Sequence, residues 1–267
     1  MDAAALTTVP LAELWRPAVF LAAVFLEGLY LLLVVGPWNE AFPEARPVPL
    51  VRMLAFTLGL GAFYLACGSP LAYVADHDLF TAHIVQHMLL TAVMPPLLWL
   101  GTPGWLLRPL YRRPAGRRLL RFLARADVAF FSFNGLSALL LMPAVYDRVL
   151  ASGPLQGISN LALVVTALIF WLPVLNPLPE LPPLTPGKRL LYLFFAADAV
   201  TSMVGFLFVD PPLYRPYFGH TTAFGLTPLA DQQLGATLLL ALMVLVYGTA
   251  FFATFLRYQG GMAAWYE

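Results

Sequence analysis

His83 and His87 lie four residues apart within residues 79–100, a stretch that contains no Asp, Glu, Lys or Arg. At helical spacing the two imidazoles stack on one face, about 6 Å apart, near enough to share a metal ion. The stretch is long enough to cross a bilayer as a helix. Titratable groups in such a helix are costly and turn toward a partner, a ligand or water. Metal binding therefore competes here with plain hydrogen bonding to backbone, or to Asp and Gln across a bundle. Further donors lie near the same end of the chain's apolar segments. His77 stands between Asp76 and Asp78 in a connecting segment, His220 lies in another, and Cys67, Met142, Met203 and Asp231 lie at or near helix ends. Imidazole, thioether and thiolate groups together suit copper, Cu(I) in particular, better than zinc or magnesium. Each has an ordinary role as well: Met142 and Met203 as packing, Cys67 as a small buried residue, Asp231 as a helix cap.

Other chemistries are excluded or weakened by the same residues. His-Ile-Val-Gln-His has the histidine spacing of a zincin helix, but Ile84 stands where the general-base glutamate is required. No serine sits in a nucleophile elbow. Two histidines on one helical turn cannot bracket a haem, and His220 is the sole distant histidine left to complete one. Glu27 and Asp198 fall near the middle of apolar segments and are candidates for proton or ion passage, or for protonated groups bonded to neighbours.

Composition decides what positions these groups. The 267-residue chain is 60% hydrophobic and 11% charged, with a mean hydropathy of +0.78. A soluble domain carries roughly 25% charge, so the chain reads as an integral membrane protein. One cysteine excludes an internal disulfide. Asp2 and Glu13 precede the first basic residue, Arg16, which is the wrong charge for a cleaved signal peptide. Seven apolar runs are expected to be membrane-spanning helices: 17–36, 50–67, 79–100, 128–146, 157–175, 190–209 and 232–256. Pro, Gly and charge mark the connections, as at 42–49, 101–114, 176–187 and 210–228. The expected fold is an all-α membrane protein, one seven-helix bundle domain over 1–267.

Charge placement orients it. With the N-terminus outside and the C-terminus cytoplasmic, the inner segments hold Arg46, Arg52, the seven arginines from Arg108 to Arg125, Lys188, Arg189 and Arg257, which is 12 of the 15 basic residues. The arginine cluster is then an inner loop facing anionic lipid, not a nucleic-acid patch. In this orientation all four histidines fall toward the outer side. His83 and His87 lie about 6 and 12 Å below the start of their helix at 1.5 Å per residue.

The run Leu79-Phe80-Thr81-Ala82-His83-Ile84-Val85-Gln86-His87-Met88, followed by Pro95-Pro96 and Gly101-Thr102-Pro103, resembles the polytopic CtaG family of caa-type cytochrome c oxidase assembly factors. The resemblance continues through Pro143-Ala144-Val145-Tyr146-Asp147, Phe170-Trp171-Leu172-Pro173, Leu213-Tyr214-Arg215-Pro216-Tyr217 and Asp231-Gln232-Gln233-Leu234. It implies a non-enzymatic role in maturing a haem–copper oxidase in a bacterial plasma membrane. The implied cargo is copper, held transiently, and the implied partners are an oxidase subunit or another copper chaperone. His83 and His87 match the family's paired histidines, and Asp231 with Gln232 its acidic block. Two departures stand out. Leu141-Met142 replaces a histidine that family members often carry before the matching proline, and Gln156–Asn160 replaces a histidine-rich segment. Either Met142, Asn160 and His77 complete a softer copper site, or a metal-free scaffold remains. Transport of copper or protons past His83, His87, Met203, Asp198 and Glu27 is the further alternative. Oligomeric state is not legible.

Overall fold

The computed structural model describes residues 9–218 and 225–263, and regular structure among them is helical throughout. After one turn at Leu11–Leu14, helix α1 spans Pro17–Val34 and α2 Leu50–Gly68. A short α3, Pro70–His77, follows, started by Pro70 and capped by the Ser69 hydroxyl, which accepts from Leu71 N–H at 3.2 Å. The histidine helix α4 covers Phe80–Met88 and passes through one π-helical turn, Leu89–Val93, into α5, Met94–Gly101. Next come α6 (Gly104–Arg112), α7 (Pro114–Leu123), α8 (Ala126–Leu141), α9 (Pro143–Leu150), α10 (Gly153–Leu175), α11 (Pro186–Gly205) and α12 (Pro228–Ala263).

Five stretches are long and apolar enough to cross a membrane: α1, α2, α4 with α5, α10, and residues 228–259 of α12. A sixth is added if α8 and α9 form one broken span; they meet at a 78° bend. The run expected as one helix over 128–146 breaks there because Pro143 disfavours helical backbone at Met142, which is extended at φ −64°, ψ 125°. The expected sixth span corresponds to α11. Every 18-residue window of that helix contains Lys188, Arg189 and Asp198, which makes it more polar than the other spans. The expected loop over 101–114 is instead mostly helix: α6 and α7 are amphipathic, and Leu120 packs with Leu178 and Leu181 while the arginines face out.

Helix α4–α5 is the centre of the bundle. Inside the protein 56% of that span is buried, against 17% of α1 and 22% of α2, whose apolar surfaces face outward. Phe80, Ile84, Met88 and Ala92 pack into one core with Phe133, Trp171, Leu239 and Tyr247. Small residues set the closest approaches. A Cβ on Gly101 would lie 2.6 Å from Phe56 Cβ, and one on Gly235 would lie 3.0 Å from the Phe80 ring, so α5 meets α2 and α12 meets α4 where a side chain is missing.

Connections meet at two ends. At one, Arg108 donates to Glu44 and to Glu180 (2.6 Å), and Arg112 to Glu44, joining the segments after α1, α5 and α10. At the other, Arg16 donates to Asp76 (2.8 Å), Gln156 donates to Asp76, and Tyr217 donates to the Ala75 carbonyl (2.8 Å). These contacts join the segments before α1, after α2, after α8 and after α11.

Candidate functional site

The histidine helix has no cap of its own: Leu79, at its N-terminus, offers no side-chain oxygen. The cap comes from α12, 151 residues away. Asp231, fully buried, accepts from Phe80 N–H (2.6 Å) and Thr81 N–H (3.1 Å), while Thr81 Oγ1 donates to the Asp231 carbonyl (2.9 Å). The carboxylate thus satisfies two free N–H groups and opposes the positive end of the helix dipole. Gln232 beside it accepts from Leu213 N–H (2.7 Å) and donates to the Leu207 carbonyl (2.8 Å), tying the segment after α11 to the same corner.

Below the histidines, Pro95 and Pro96 have no N–H to return to the preceding turn, and the helix widens into its π turn. The freed Thr91 carbonyl is taken by Trp171 Nε1 (2.9 Å), and Thr91 Oγ1 donates to the His87 carbonyl (2.8 Å). A cap above and a pinned irregular turn below fix the rotation of α4 about its own axis.

So held, His83 and His87 line one cavity of about 30 Å³. Gln86, Tyr146, Gln156, Ser159 and Asn160 supply its polar wall, with Leu141 and Leu163 among the apolar residues. A water needs roughly 10–15 Å³ of such volume, so the space holds one ion or water; a porphyrin needs at least ten times as much. Haem is not accommodated between these two residues. His83 Nδ1 is buried with no hydrogen-bond partner. Its ring stands edge-on to Tyr146, centroids 4.9 Å apart. Tyr217 gives its proton to Ala75, so Tyr146 is the donor in their 2.7 Å contact, leaving the Tyr146 oxygen free to accept. Burial pushes the Tyr217 phenol well above its ordinary pKa, so it stays a donor. Gln86 is tethered through its amide to the Ala66 carbonyl (2.8 Å). On its other side His87 borders a void of about 10 Å³ with Asn134, Ser137 and Met243, and Ser137 Oγ has no partner.

The other sequence-named residues are placed elsewhere. His77 is exposed, stacked on Tyr73 at 4.4 Å, with Nδ1–H donated to the Tyr73 carbonyl (2.9 Å); its neighbour Asp76 reaches the cavity wall instead, through Gln156. Asp231 caps α4 and is absent from the cavity lining. Met142 is 57% exposed and lines a separate apolar cleft with Leu139 and Tyr214. His220 and the Met203 side chain lie outside the described residues. Glu27 accepts from Thr57 (2.7 Å) between α1 and α2, and Asp198 is exposed beside Phe130 and Phe195 on α8 and α11, so neither joins the histidines. Among the described residues no three His, Cys, Asp or Glu converge on one metal position. Met243 was not singled out by sequence, since a methionine in an apolar helix reads as packing. Of the two segments at which the family resemblance expects imidazoles, Leu141-Met142 and Gln156–Asn160, the residues Leu141, Gln156, Ser159 and Asn160 line the cavity of His83 and His87, and Met142 does not.

A polytopic helical membrane protein with a paired-histidine pocket near one end of its central helix is the class these features define. The family profile of the cytochrome c oxidase caa3 assembly factor (Caa3_CtaG) matches residues 28–259, and the chain belongs to that family. No curated protein and no solved structure gives a match.

Proposed function

We propose that this assembly factor holds copper transiently at His83 and His87, on the outer side of a bacterial plasma membrane, and passes it to a cytochrome c oxidase subunit or another chaperone. The observation that carries this reading is the one-ion cavity lined by both imidazoles, with His83 Nδ1 bare inside the protein. Imidazole nitrogens suit copper, and a d¹⁰ Cu(I) ion accepts as few as two donors. A site with only two protein ligands releases its cargo readily, as delivery requires. On this reading the chain catalyses no reaction of its own. The bundle is one seven-crossing unit with its N-terminus outside, in support of which alternate connections gather at opposite ends and 12 of 15 basic residues fall on one side.

The test is Cu(I) loading of the purified protein in detergent. About one copper per chain is expected for the wild type, and none for His83→Ala/His87→Ala at unchanged helical content, with lowered oxidase activity in cells carrying the double variant. Equal copper in both proteins would sink the reading. A metal-free scaffold for an oxidase subunit is the second reading, favoured by the lack of a third His, Cys, Asp or Glu beside the pair among the described residues. It requires that the wild type itself bind no copper while its deletion still lowers oxidase content.

A further inference from the structure

At the arginine-rich end a second cavity, of about 460 Å³, opens between α10, the first turn of α11 and the last turns of α12. Val174 and Leu175 of α10 and Ala250 of α12 give it apolar lining, and Arg189 of α11 and Arg257 of α12 line it as well. Arg189 Nε is buried and has no partner. Both arginines line the same cavity. Among the described residues no carboxylate lines the cavity, and Glu180 is paired with Arg108 and Glu44 with Arg108 and Arg112. The uncharged polar groups are also engaged. Asn176 bonds to Leu178 and Leu181 within its own turn, and the Thr254 hydroxyl donates to the Ala250 carbonyl (2.8 Å).

A buried guanidinium N–H without an acceptor, as at Arg189, is costly unless an anion joins it, and the exposed Arg257 adds a second positive charge at the same cavity. The planar fork of arginine matches phosphate oxygens, often in pairs. The apolar lining adds a second requirement, since a bare anion leaves it unfilled. We propose that this cavity binds an anionic phospholipid, its phosphodiester on Arg189 and Arg257 and an acyl chain along Val174, Leu175 and Ala250. Basic pockets between membrane helices on the inner side select such headgroups. The proposal rests on the multi-pass placement and is independent of copper.

The test is native mass spectrometry of the full-length detergent-purified protein, titrated separately with phosphatidylglycerol, phosphatidylcholine and inorganic phosphate. One phosphatidylglycerol per chain is expected, retained about tenfold more strongly than phosphatidylcholine. Arg189→Gln/Arg257→Gln should abolish that preference, and Arg257→Gln alone, an exposed position that leaves the fold intact, should weaken it. His83→Ala/His87→Ala should keep it, which separates this proposal from the copper reading. Equal retention of both lipids, a preference that survives in the double variant, or phosphate saturating the site and displacing no lipid would each overturn it.

Discussion

Two nitrogens hold Cu(I) weakly, and the cavity wall says where a third could be added. Leu141 and Asn160 line the cavity of His83 and His87, a space sized for one ion; they belong to Leu141-Met142 and Gln156–Asn160, where the family resemblance expects imidazoles, while Met142 faces a separate cleft. Both positions therefore offer places from which an added imidazole could reach the space beside His83 and His87. Adding one by Leu141→His or Asn160→His should tighten Cu(I) binding by about tenfold or more, roughly 1.4 kcal/mol, in competition with a chromophoric chelator. Unchanged affinity in both variants would place the copper site away from this cavity. The histidine pair was legible from sequence because a titratable group in a span is costly enough to demand a reason. His77, a loop histidine beside two aspartates and so more often solvated than ligating, folds back onto Tyr73, a local contact that composition does not announce. That Met243 and Ser137 border His87 was illegible for the opposite reason: ordinary helix residues take their neighbours from packing that sequence does not mark.

At the scale of the helix, Asp231 takes up, for α4, the capping role that its place at a helix start allowed beside a site role, and Gln232 extends it into a clamp. Its partners are backbone N–H and C=O groups of Phe80, Thr81, Leu207 and Leu213, which every residue carries and which no sequence pattern marks. Pro95-Pro96 likewise signalled a break in the helix, but the π turn and the Trp171 donor that repairs it depend on a helix 80 residues away. The clamp makes a distinction between ligand and positioner testable. Asp231→Ala removes both acceptors and should cost about 2–3 kcal/mol; Asp231→Asn keeps one oxygen and should cost about half as much. Thermal unfolding in detergent ranks the variants, and hydrogen exchange at the Phe80 and Thr81 amides should quicken in the same order. Copper affinity should fall in step with that exchange. A variant that loses copper while both amides stay protected would make Asp231 a ligand.

For the whole molecule, the apolar runs located α1, α2, α4–α5, α10 and α12 within a few residues, because length and hydropathy are properties of the chain itself. Two crossings remain to be tested: α8, which meets α9 at a 78° bend, and α11, whose Lys188 and Arg189 sit in its first turn and whose Asp198 is exposed. Contacts between connections argue that α11 crosses. The segment before it is tied to Arg108 at the basic end, while the segment after it is tied through Tyr217 to Ala75 at the histidine end. Single cysteines in a Cys67→Ser background, probed with a membrane-impermeant thiol reagent, read this directly. His77→Cys should be labelled in right-side-out vesicles, whereas Arg117→Cys and Tyr258→Cys should be labelled only after permeabilisation. Labelling of Tyr258→Cys from outside with Arg117→Cys still protected would mean that either α8 or α11 does not cross. Reversal of all three would put the basic end outside, stranding the arginines against the positive-inside bias and placing the histidine cavity on the cytoplasmic side, where a donor to an outer copper centre could not reach its client.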